Sequence, residues 1–294
     1  MRISLNAVWG SDLQTTVSKP IIFEGVGLHK GLWSKLVVLP AKIDSGICFK
    51  RLDINKGNKH IPALLDNVVN SELCTRLANS DGVSVSTIEH LMAALTGCGI
   101  NNALLEIDGP EVPILDGSAL VFVKEILKTG IKLQQQSLNA VRILRTVKHD
   151  QGSAWARFEP STNPKMSFSI EFSEEAIGTQ SKTLDMSNGS FVRELCDSRT
   201  FCRYSEVEVM RSKGLALGGS YENAVVVEGK NVLSPGGLRH LDEPVRHKML
   251  DALGDIALAG YPIIGHYVGH RAGHGITHGP VSYTHLTLPT KRIV

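Results

Sequence analysis

Three side chains in the second half of the chain are spaced for chemistry: His247, Asp251 and Asp255 follow one another at intervals of four residues. They fall in Leu241 to Gly260, LDEPVRHKMLDALGDIALAG. Asp242 as N-cap, a Glu-Pro first turn and a closing glycine predict a helix there. At ~100° per residue, Val245, Met249, Ala252 and Ile256 form one apolar stripe, and the three polar residues run down roughly the opposite side. Such a line is ordinarily a solvated face. A neutral imidazole and a carboxylate one turn apart can also grip a single zinc ion, leaving positions for a third ligand and a water.

The third ligand has a candidate in SVSTIEHLMAALTGCGI, a second predicted helix in which Ser86-x-x-Glu89 has the form of a capping box and Gly97 that of a stop. Capping alone would explain Glu89. Its neighbour His90 precedes the apolar residues Leu91, Met92, Ala94 and Leu95 that would face the core. An imidazole ligand beside a carboxylate able to act as base, with a distant His-x3-Asp short of one ligand, is a hydrolase arrangement.

The elements that must position these residues fit a chain of 294 residues, long enough for two domains of roughly 150 each. A net charge of +2 and 5% aromatics offer no basic block or aromatic platform for nucleic acid. Five scattered cysteines without a C-x-x-C pair suggest neither a disulfide framework nor a cysteine zinc site, and read as reduced thiols. The N-terminus has no secretory pattern and no apolar run approaches the ~18 residues of a membrane span, so the protein is expected to be soluble and cytoplasmic.

Residues 1–13 lack periodicity and read as a loose extension. In PIIFEGVGLHKG, Gly25 and Gly27 suit a hairpin turn better than a dinucleotide loop, and His29 at its edge is expected at the surface. LWSKLVVLP and GICFKRL read as strands, with KGNKHIPA a loop. NNALLEIDGPEVPILDGSALVFVKEILKTGI gives a strand, a turn, a second short strand and a helix opening near Ser118. The polar, aperiodic IKLQQQSLNA marks the divide between domains at 14–135 and 136–278. Strands resume in VRILRTVKH, SAWARFEP and MSFSIEF, followed by a short helix in SFVRELC and a hairpin in YENAVVVEGKNVL. The order of strands, helix, strands repeats without any residue-level repeat, so a duplicated α+β fold is a pattern argument. His266, His270, His274 and His278 recur every fourth residue where glycines disfavour a helix, and most of them read as surface histidines.

EHLMAAL, PILDGSA, SRTF, GLALGGS, RHKMLDALGD and GHxxGH occur in that order between about Thr15 and Thr277. In these six motifs the chain resembles the zinc-dependent UDP-3-O-acyl-N-acetylglucosamine deacetylase family of lipid A biosynthesis. The resemblance implies two similar α+β domains packed as a sandwich with the active site between them. It also implies hydrolysis of the 2-acetamido group of UDP-3-O-acyl-N-acetylglucosamine to acetate and a free amine, the committed step of that synthesis. Carried onto matching positions, it makes His90, His247 and Asp251 the metal ligands and Glu89 the general base. It gives Thr200 to the transition-state oxygen, His274 to the general acid, Asp255 to orienting that histidine, and Lys248 to substrate. Phe172 and Arg271 match nucleotide-side positions, and Leu28, Phe201, Val207 and Ala216 match the passage of the acyl chain.

The implied cofactor is zinc, with iron(II) accepted by the same donors. The implied partner is a small UDP-sugar carrying an acyl chain, bound by a monomer. A non-catalytic UDP-sugar sensor on the same fold would not need Glu89 and His274, and a structural zinc would need a fourth ligand that these motifs do not offer. Residues 279–294, GPVSYTHLTLPTKRIV, depart from the family pattern, carry two prolines and no apolar stripe, and are expected to be a non-native, poorly packed tail that keeps His278 and His285 out of the site.

Overall fold

The structure, a computed structural model, describes residues 12–286. Two five-stranded sheets dominate it. The first is ordered Ile21–Val26, Trp33–Pro40, Ala103–Ile107, Ile47–Arg51 and His60–Pro62; the second Val147–Gln151, Ala154–Glu159, His266–His270, Lys165–Glu171 and Thr179–Asp185. Each sheet has a hairpin on either side of a central strand that the chain adds last, antiparallel to one neighbour and parallel to the other. In each half a helix precedes the central strand, Glu89–Gly97 and Glu243–Ile256, and another follows it, Leu120–Thr129 and His274–Leu286. The fold is therefore α+β with two sheet-rich halves of one topology, a repeat carried by element order and not by residue identity.

Period-2 burial explains the strands. In Trp33–Pro40 the residues Ser34, Leu36 and Val38 turn inward, and in Lys165–Glu171 Met166, Phe168 and Ile170 do so. The helices Glu89–Gly97 and Glu243–Ile256, equivalent in topology, pack against each other, and both are buried on nearly every side. The polar line on the second is thus inside the molecule. That helix ends in a 3-10 turn closed by Gly260 at φ +75°, as its sequence predicts, but Asp242 binds Arg246 and Lys182 in place of a capping role.

Several expectations are corrected. His60–Pro62 is a strand, because Ile61 has a buried slot against the sheet. Around PEVP only isolated bridges form, Gly27 with Pro113 and Ser86 with Glu111. Ile131–Ser137 is a strand paired with Leu13–Val17; almost none of it is buried, so no alternation marks it in the sequence. The segment after Gly273 is a helix, not a loop. It runs through Pro280 to Leu286, buries Ile276 and Val281, and brings Gly279 against His149. Tertiary burial outweighs glycine penalties of ~1 kcal/mol each. Residues 1–11 and 287–294, which hold most of the expected extension and half of the expected tail, lie outside the described residues, as does the side chain of His285. No helix among the described residues is long and apolar enough to cross a membrane.

Candidate active site

The site forms where the two equivalent helices meet. Gly254 makes the meeting possible, since a β-carbon there would lie 2.1 Å from the carbonyl oxygen of Glu89. Across this contact, candidate ligand atoms of His90, His247 and Asp251 all lie within 4.8 Å of one another, and all three residues are buried.

The donor chemistry of this trio calls for a cation. His247 Nδ1 lies 3.1 Å from the Ser198 carbonyl, which fixes the ring proton on that nitrogen. Burial, opposed by Asp251, lowers its pKa to about 4, so the ring is neutral and Nε2 carries a bare lone pair. That lone pair points at Asp251 Oδ1, 3.2 Å away, and His90 Nε2 lies 3.5 Å from the same oxygen. Asp251 stays ionised: burial pushes its carboxyl up, but the positive charge around it, Lys248 Nζ at 3.0 Å included, holds it well below the usual range. A bare imidazole nitrogen this close to a carboxylate oxygen suits a shared cation. Two imidazoles and a carboxylate are a ligand set for a divalent transition metal.

Glu89 and His274 flank the trio. Glu89 heads its helix without capping it: the capping box is absent, Ser86 is in a strand, and Glu89 Oε2 accepts the Thr75 backbone N–H at 3.1 Å. Burial raises its pKa, a shift opposed by His274 and His90 and reinforced by Asp251 and Asp255. His274 Nε2 lies 3.7 Å from Glu89 Oε1, and Nδ1 lies 2.8 Å from Asp255 Oδ2. Burial pushes the His274 imidazolium down, but Asp255, by charge and hydrogen bond, and then Glu89 and Asp251 hold it up at about 9. The Thr75 hydroxyl donates to Asp255 Oδ1 at 2.5 Å, and His278 Nε2 lies 3.2 Å from that same oxygen. The expectation that His278 stands apart from the site is therefore wrong. Its spacing of four from His274 carries on one helix the same signal that His247 and Asp251 carry on another.

The remaining candidates are placed as follows. Lys248 Nζ donates to Asp251 Oδ2 at 3.0 Å. Thr200 follows the Ser198 carbonyl by two residues, its own N–H bonded to Gly117. Phe201 meets His247 edge-on at 6.1 Å and Phe172 at 5.5 Å, so two residues expected in different subsites touch. Leu28 and Ala216 come together at Gly219, where a β-carbon would touch both. Val207 is half-buried on the helix Tyr204–Ser212, and Arg271 Nη1 lies 3.6 Å from Glu171; neither hydrogen-bonds or ion-pairs with the trio. His29, expected at the surface, is 5% exposed, because Glu111 and the 216–218 segment enclose it. Polar residues near a glycine turn mimic a surface loop, and only the enclosure by the second half reveals otherwise.

Residues 14–282 match the family UDP-3-O-acyl N-acetylglycosamine deacetylase (LpxC). The chain belongs to this family. It is 45% identical over 254 residues to the UDP-3-O-acyl-N-acetylglucosamine deacetylase of Phenylobacterium zucineum (strain HLK1), covering 86% of this chain and 87% of that one. It is 45% identical over 269 residues to the protein of the same name from Geobacter sp. (strain M21), covering 92% and 88%. With that of Shewanella frigidimarina (strain NCIMB 400) the identity is 43% over 256 residues, covering 86% and 83%. The LpxC family is one of metalloenzymes, and among the described residues the His90, His247 and Asp251 cluster could hold a metal ion. The family match also extends past Thr277 to residue 282, into the helix that buries Val281.

Proposed function

We propose that this chain hydrolyses the 2-acetamido group of UDP-3-O-acyl-N-acetylglucosamine, with zinc held by His90, His247 and Asp251, as a monomer in the cytoplasm. The observation that carries the reading is the bare Nε2 of His247 facing ionised Asp251, with Glu89 and His274 at its border. Iron(II) suits the same donors. When bound, such an ion supplies Lewis acidity to the amide carbonyl and to a water.

The chain's own residues do the proton work. Glu89, with its pKa raised by burial, takes one proton from the attacking water at a carboxylate oxygen. His274, charged below about 9, gives the Nε2 proton to the departing nitrogen while Asp255 holds Nδ1. The C–N bond breaks, and acetate and a free amine leave. Lys248 stays charged: burial lowers its pKa, but Asp251 and its hydrogen bond raise it more, so the ammonium is available to an anionic substrate group. Thr200 is assigned the oxygen that gains charge, to which its hydroxyl would donate. Phe172 and Arg271 serve the nucleotide side, and Leu28, Phe201, Val207 and Ala216 the acyl passage. At ~0.8 kcal/mol per buried CH₂, chain length then matters to binding.

A sensor would have no use for a buried base and a half-buried acid sharing this border. The five cysteines are all free thiols, in keeping with a reducing compartment. The two halves are taken as two domains. Metal analysis and an acetate-release assay test the reading together: the wild-type protein should hold one metal ion and release acetate, and His247→Ala should lose both. Full turnover by that variant after chelation would sink it.

A further inference from the structure

Glu111 is buried, and the reaction as read above makes no use of it. Its carboxylate is met by donors: Oε1 accepts the His29 N–H at 2.8 Å and the Thr87 hydroxyl at 2.7 Å, and Oε2 accepts the Lys30 N–H at 2.8 Å. Its carbonyl accepts the Ser34 hydroxyl at 2.7 Å. The chain at Gly27 lies against the same carboxylate, since a β-carbon on that glycine would come within 2.4 Å of Oε2. Residues 27–30 therefore wrap one acidic side chain as a strap.

The second half of the molecule holds the strap from its other side. The Leu28 carbonyl accepts the Gly218 N–H at 3.0 Å, the His29 carbonyl accepts the Leu217 N–H at 3.1 Å, and His29 Nδ1 accepts the Ala216 N–H at 3.4 Å. A β-carbon on Gly218 would lie 2.2 Å from the Gly27 carbonyl oxygen, so the seam has no slack. Leu28 Cδ1 and Ala216 Cβ both lie within 4 Å of where a β-carbon on Gly219 would stand, beside this seam. Their spacing is set on one side by the backbone of 216–218 and on the other by the oxygens of Glu111.

We propose that Glu111 is a positioning residue that fixes the width of the acyl passage, and with it the preference for acyl-chain length, by clamping the Gly27–Lys30 strap against Ala216–Gly218. The inference rests on the deacetylase reading. The two side-chain oxygens accept all three bonds; a carboxamide turns an NH₂ toward one of the donors and loses at least one of them.

Glu111→Gln tests it in the metal-loaded protein through two readouts. Amide exchange at His29 and Lys30 should rise about tenfold, as expected for loss of one such bond. The ratio of kcat/KM between long-chain and short-chain UDP-3-O-acyl-N-acetylglucosamine should flatten by a similar factor. Equal loss at every chain length, or an unchanged ratio, overturns the proposal, because a residue that merely supports folding lowers all substrates alike. If the wild type releases no acetate from any chain length, the deacetylase reading fails and the exchange arm alone judges the clamp, unchanged exchange overturning it. Should Glu111→Gln not fold, Thr87→Val removes one of the three bonds and leaves the carboxylate. It should move both readouts the same way by less, and no movement overturns the proposal.

Discussion

Gly254 lies directly against the carbonyl oxygen of Glu89, so closely that a β-carbon on it would stand 2.1 Å away. This contact sets the distance between the helix carrying Glu89 and His90 and the helix carrying His247, Asp251 and Asp255. Gly254→Ala would force the helices apart. Overpacking of this kind costs about 1–3 kcal/mol, and a shift near 1 Å between reacting groups costs on the order of 10² in rate. The variant should therefore fold with a lowered Tm and lose far more kcat/KM than its thermal stability suggests. A variant with wild-type kcat/KM would show the two helices free to relax without disturbing the site.

Glu89→Gln separates chemistry from architecture. Because Glu89 does not cap its helix, the amide can keep the acceptor for the Thr75 N–H, and the ligand trio is unaltered. Metal content should stay at the wild-type level while kcat falls by at least ~10². Near-normal turnover would remove Glu89 as the base.

The site was readable where it obeys local rules. The interval of four from His247 through Asp251 to Asp255 predicts one helical face, and that face is what meets His90. Glu89 was readable as a candidate, but its competing role as a cap is decided only by where the helix begins. The strand Ile131–Ser137 was hidden because neither face is buried, which removes the alternation that marks strands. His29, buried, and His278, half-buried, were hidden for another reason: each packs against a segment distant in sequence, and glycine-rich surroundings conceal that. Topological duplication is legible in the sequence as a repeated order of strands, helix and strands, and shows in full in the two strand orders.

The pair His274 and Asp255 sets the pH dependence. His274 is raised from 6.5 to about 9, so in the proposed role of general acid it stays charged through neutrality and kcat/KM should fall only as pH passes about 9. On the acid side, raised Glu89 places the loss of base above the ordinary carboxyl value of 4.5. For stability the signs are opposite at the two ends. A raised His274 stabilises fully below 6.5 and loses its contribution as pH rises through about 9, whereas a lowered Asp255 contributes above 3.8 and loses it as pH falls further. Asp255→Asn should move the alkaline limb of the rate profile to lower pH and reduce the neutral rate by roughly 10- to 100-fold. Urea unfolding should show its largest deficit between pH 3.8 and 6.5 and little above about 9. A rate profile superimposable on the wild type would break the pairing.

The segment after Thr277 gives the sharpest contrast between expectation and structure. Composition marks Gly279 onward as a dispensable tail, yet Val281 is 0% exposed and Gly279 lies against His149 on the outer strand of the second sheet. A carboxylate at Val281 would be taken out of water, which costs several kcal/mol. Val281→Asp should therefore lower the Tm sharply. It should also weaken the hold on His274, because the same helix carries His274 and, one turn on, His278 beside Asp255. His278→Ala is the milder probe: it leaves the 2.8 Å bond between His274 and Asp255 in place and removes one contact on the other oxygen. Turnover should then fall by less than about tenfold, below the effect of Asp255→Asn. If Val281→Asp unfolds at the wild-type temperature and keeps wild-type turnover, the helix beyond Thr277 does not dock as described, and the tail is dispensable after all.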